Sequence, residues 1–94
     1  MLACTVHKFD FNPTIKYDGG TAGFVDLPVN AKIVHVGEQS GVIRIWAQVE
    51  QLPRREVRRK FLRVPTGGIV TPNAEHIGTV QMESGLVWHV YEEH

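Results

Sequence analysis

At 94 residues and 43% hydrophobic, the chain has the size of one small domain (residues 1–94) with a modest core. A formal net charge of zero argues against a general DNA binder, whose affinity comes from neutralising phosphates, and against a DNA mimic. No apolar run approaches the ~18 residues of a membrane-spanning helix, and MLACTVHKFDF lacks the apolar stretch of a signal peptide. Cys4 is the only cysteine and cannot form an internal disulfide, which fits a reducing cytoplasm.

Residues 3–11 alternate, with His7, Phe9 and Phe11 on one face and Val6, Lys8 and Asp10 on the other, as in a half-buried strand. Asn12-Pro13 ends it, and residues 12–20 read as a loop closed by Asp18-Gly19-Gly20. A second strand spans 22–27, with Val25 and Leu27 facing one way; Pro28 and Asn30 turn the chain into a third.

The strongest local signal is the hairpin Ile33 to Val49, whose β-branched runs flank Ser40-Gly41. A two-residue turn there sets Val36 opposite Ile45, Val34 opposite Ala47 and Glu38 opposite Ile43. Val34, Val36, Ile43, Ile45, Ala47 and Val49 then form the core face. The other face pairs His35 with Trp46 and Gly37 with Arg44, and sets Ile33 beside Gln48. His35, Arg44, Trp46 and Gln48 thus make one candidate binding surface.

Charge is unevenly distributed. Arg54, Arg55, Arg58, Arg59, Lys60 and Arg63 stand against Glu56 alone, whereas no lysine or arginine follows Arg63. Residues 54–64 are read as a strand with Arg55, Val57, Arg59, Phe61 and Arg63 on one face. A helix opened by Pro53 also fits, with Val57, Phe61 and Val64 at i, i+4 and i+7. The strand reading is preferred because the segment is short and runs into Val64-Pro65.

Arg54, Arg55, Arg58, Arg59 and Arg63 form a second candidate binding set, since a guanidinium matches phosphate or carboxylate. The plainer reading is a charged edge strand that resists aggregation and pairs with the acidic C-terminal strand. After the loop 65–74, residues 75–83 and 86–92 form a final hairpin across Ser84-Gly85. A two-residue turn sets Ile77, Leu86, Trp88 and Val90 on one face and Val80, Met82, Val87 and Tyr91 on the other. Two apolar faces suggest a covered position or a homo-oligomer contact. His35-Val36-Gly37 and Trp46 are echoed by His76-Ile77-Gly78 and Trp88.

No nucleophile elbow, Walker loop, dinucleotide loop or metal-ligand spacing is present, so no catalytic residue, cofactor or metal is expected. His7, His35, His76 and His89 read as amphipathic strand residues. The expected fold is all-β and mainly antiparallel: six to seven short strands in a meander, forming a small sandwich or partly open barrel, with at most one short helix.

KFDF, LPVNAKIVHVGEQSGVIRIWAQV, RRKF, TGG, HIGTVQ and LVWHVYE together resemble an uncharacterised family of small proteins encoded largely by phages and prophages. The resemblance runs from Lys8 to Glu92, with residues 12–21 as an extra loop. It implies a viral or prophage origin and supplies no catalytic residues. The expected function is a non-enzymatic interaction protein that binds a host or phage protein in the bacterial cytoplasm, for example in counter-defence. Two alternatives use the arginines: a sponge for a nucleotide or phosphorylated small ligand, and a nucleic-acid-binding accessory protein. The second is less favoured because no nucleic-acid-binding motif accompanies them.

Overall fold

A computed structural model describes residues 3–52 and 55–94. It contains β1 (Cys4–Phe11), β2 (Ile15–Tyr17), β3 (Gly20–Pro28), β4 (Lys32–Gln39), β5 (Val42–Glu50), β6 (Glu56–Pro65), β7 (Ala74–Gln81) and β8 (Val87–Glu93). Among the described residues there is no helix. The strands form two antiparallel sheets, β1-β5-β4 and β2-β3-β6-β8-β7, packed as a small sandwich. The all-β class and sandwich are as expected, but there are eight strands. β2 lies in the segment read as a loop, and the order is not a simple meander. The chain leaves the larger sheet after β3, builds the β4–β5 hairpin, and returns as β6 to pair with β3.

The β4–β5 hairpin turns through Ser40 and Gly41, both at positive φ (53° and 79°), between the pair Gln39 and Val42. Two successive positive φ values give the turn whose twist matches that of the strands it joins. From there the expected register holds through His35 opposite Trp46 and then breaks. A bulge expels Val34, pairing Ile33 with Ala47 and Lys32 with Gln48. Val34 is therefore exposed rather than in the core, and Ile33 packs against the core instead. One extra residue shifts every later side chain to the other face.

The final hairpin differs in the same way. Its loop is Glu83-Ser84-Gly85, closed by Gly85 N–H to Met82 C=O (2.9 Å) and Met82 N–H to Leu86 C=O (2.7 Å). Gly85 has φ 95°, the left-handed residue of a three-residue loop. The longer loop sets Val80 opposite Trp88, so Val80 and Met82 face the core together with Trp88 and Val90. A bulge at Ile77 lies between the pairs of His76 and Gly78.

The main core joins Phe11, Val36, Ile43, Ile45, Ala47 and Val49 of the smaller sheet to Val25, Leu27, Phe61, Val80 and Val90 of the larger. Phe11 meets Phe61 edge-to-face at 6.0 Å. Gly78 brings β7 against β4: a Cβ there would lie 3.0 Å from the Cβ of Val36. On the outer face of the larger sheet, Ala22, Leu62 and Val64 form a second cluster with Tyr17, Ala74 and Tyr91. The loop after β6 reaches it, where Tyr17 Oη donates to Ile69 C=O at 3.3 Å.

Candidate functional site

Strand alternation sorts the candidate residues. On β5, Ile43, Ile45, Ala47 and Val49 point inward, so Arg44, Trp46 and Gln48 point outward. Pairing on both sides extends this into three rows: Lys8–Trp46–His35, Asp10–Arg44–Gly37 and Val6–Gln48–Lys32. His35, Arg44, Trp46 and Gln48 therefore share one face, as expected. β1 adds Val6, Lys8 and Asp10, which sequence reasoning placed on a polar strand face without knowing its neighbour.

Neighbouring side chains brace this face. The rings of His35 and Trp46 lie 5.2 Å apart, tilted by 50°. Gly37 makes room for them, since a Cβ there would fall 2.9 Å from His35 Nε2 and 3.5 Å from the Trp46 ring. Arg44 is ion-paired with Asp10 across the β1–β5 ladder. Its Nε is buried without a hydrogen-bond partner, so Asp10 holds the guanidinium from one side. Lys8 Nζ donates to Gln39 Oε1 at 2.9 Å, spanning the sheet.

The arginine segment has a different fate. It is the expected strand, but β6 lies between β3 and β8 and is not an edge. Its neighbours carry the complementary charges. Arg58 points outward, donating to Asp26 through Nε (3.0 Å) and Nη2 (3.3 Å), with its guanidinium 5.7 Å from the Phe24 ring. Lys60 pairs with Glu93 at 2.8 Å. Arg59 points inward. Its Nε and Nη2 donate to the two oxygens of buried Glu92 at 2.5 and 2.7 Å, and Nη1 donates to Ala31 C=O at 2.7 Å.

Arg63 also points inward, 4.2 Å over the Trp88 ring, with Nε donating to Thr21 Oγ1 at 3.2 Å. Arg55 is exposed just before β6, and Arg54 lies outside the described residues. The described arginines are thus distributed over two faces and do not converge. The Arg58 bond holds Asp26 below the usual carboxylate range, and bonds from Lys60 and Thr71 do the same for Glu93. The bond to Glu92 raises Arg59 further above its usual value, while burial lowers Arg63.

A cleft of about 510 Å³ opens beside both bulges, lined by Lys32, Val34, Arg59, Glu75, His76 and Ile77 among others. Near it, ligand atoms of Glu75, Glu92 and His94 lie within 4.8 Å of one another. Sequence spacing did not reveal this group, because it requires the β7–β8 register that sets Glu75 opposite Glu92. Both Glu92 oxygens already accept from Arg59.

His76 and His89 are engaged locally. His76 meets Tyr91 at 5.2 Å and Thr79 at 2.9 Å; His89 contacts Thr66 at 2.9 Å and Thr79 at 3.1 Å. The hairpin echo is therefore His35–Trp46 with His76–Tyr91, whereas Trp88 faces inward.

No curated protein and no solved structure gives a significant match to the chain. A family model, a domain of unknown function (DUF7352), matches residues 3–94. The chain therefore belongs to the DUF7352 family.

Proposed function

We propose that this is a non-enzymatic interaction protein that binds another protein through the outer face of β1-β5-β4. The observation that carries the reading is the row Lys8–Trp46–His35, flanked by the Arg44–Asp10 pair. Tryptophan and arginine dominate the energetics of protein interfaces when their side chains are held in place before binding. Here both are held, one by His35 and the other by Asp10. The likeness to small phage and prophage proteins supports a setting inside an infected bacterium. The partner would be a host or phage protein, and inhibition of a bacterial immune component is a role of this kind.

The phosphate-sponge and nucleic-acid readings have less support, because Arg58, Arg59 and Arg63 already have partners within the fold. Affinity capture from bacterial lysate tests the choice. The captured partner is expected to be lost with Trp46→Ala and retained with Arg55→Glu. Retention with Trp46→Ala and loss with Arg55→Glu would transfer the function to the arginine segment.

A further inference from the structure

The two sheets have four edge strands, and they are not equally protected. β2 is three residues long, and β4 and β7 each carry a bulge. β1 is a regular eight-residue strand without bulge or proline. Short strands and bulges are devices that prevent strand addition at an edge. Ala3 C=O accepts from Gln51 N–H at 3.1 Å, which fixes the phase of the β1–β5 ladder. Thr5, His7, Phe9 and Phe11 then direct their backbone groups toward β5. The N–H and C=O groups of Val6, Lys8 and Asp10 point to the other edge, along which no described strand pairs. Charged side chains do not guard that edge, because Lys8 reaches back to Gln39 and Asp10 to Arg44.

Space is available below the edge as well. The larger sheet extends past β3, which packs against β1, by one further strand, β2. The register places His7 of β1 and Lys16 of β2 on the inward faces of their sheets, yet both are exposed. An exposed inward residue in a sandwich marks an uncovered position. We propose that the β1 edge accepts an extended segment of a partner protein as an added antiparallel strand lying over β2. This deepens the protein-binding reading by naming a second mode of contact beside the outer face. The segment would lack proline where it donates to β1 and would carry a carboxylate on its inward side, opposite Lys16. Antiparallel pairing with the β1 of a second copy does not fit, since it sets both larger sheets on one side and drives their β2 and β3 strands into the same space.

The test uses a displayed library of random peptides of roughly ten residues, followed by synthesis of the selected sequences. Binding should be weaker by about tenfold or more in Lys8→Pro than in Lys8→Ala. Both variants remove the side chain, and only proline removes the outward N–H, a change an edge strand tolerates. In the wild type, amide exchange at Val6, Lys8 and Asp10 should be fast and become slow when peptide binds. His7 and Phe9 should be protected throughout. This measurement decides even if Lys8→Pro does not fold. Equal binding to the two variants, unchanged exchange at these amides, or the absence of any selected peptide would overturn the proposal. Peptides whose binding depends on Trp46 but leaves these amides exchanging freely would also overturn it, while leaving the outer-face reading intact.

Discussion

On β5, Arg44 and Trp46 look out from a sheet face that no other described strand covers; on β6, Arg59 and Arg63 lie between the sheets. Both strands alternate, and both carry cations beside aromatic rings. They differ in their neighbours. β5 is flanked by β1 and β4, whose outward residues brace the Trp46 ring and the Arg44 charge and leave each partly exposed on a face with no second sheet over it. β6 is flanked by β3 and β8, which supply Asp26, Glu92 and Glu93 to three successive cations. Availability for a partner is thus a property of the ladder, and a density of arginine in sequence does not measure it.

The contrast should be clearest in stability. Arg59→Met leaves Glu92 buried without its partner and should destabilise the fold by about 3–5 kcal/mol in urea unfolding. Adding Glu92→Leu should restore most of that loss, because a well-packed apolar pair avoids the buried charge. Trp46→Ala removes a partly buried surface ring and its contact with His35, and should cost only about 1 kcal/mol in the same assay. A loss as large as that of Arg59→Met would mean that the outer face is structural.

Gly37→Ala should have a smaller effect still, because the nearest obstacle is the far end of the His35 side chain. Its readout is a change in Trp46 fluorescence with little movement of the urea midpoint. The weakest effect concerns acid. Lys60 holds Glu93 below the usual glutamate value of 4.5, so its contribution is complete above that value and is lost as pH falls through the lowered one. Lys60→Gln should therefore lower stability slightly on the neutral plateau and flatten its pH dependence below about pH 4.5, so that the two proteins converge in acid.

The outer face was legible in sequence because β5 alternates strictly and Ser40-Gly41 pins its hairpin register. Val34 was not, because Ile33 and Val34 are adjacent β-branched residues and either can face inward; only the bulge decides. Glu83 presented a similar ambiguity. Ser84-Gly85 serves equally as a two-residue turn or as the end of a three-residue loop, and the difference moves Val80 to the core. The position of the arginine strand was the least legible feature. Its pairing with β3 and β8 joins segments about thirty residues apart, and no local pattern encodes such a ladder. The free edge of β1 was hidden for the same reason, since an edge is defined by strands that pair elsewhere.

The most direct test compares Trp46→Ala with Arg58→Ala, two substitutions at outward-facing positions on opposite sides of the sandwich. Quantitative affinity capture from bacterial lysate should lose its partner with Trp46→Ala and keep it with Arg58→Ala, both proteins retaining their β-sheet circular dichroism. Retention with Trp46→Ala together with loss on Arg58→Ala would contradict the account and place the working surface on the arginine strand.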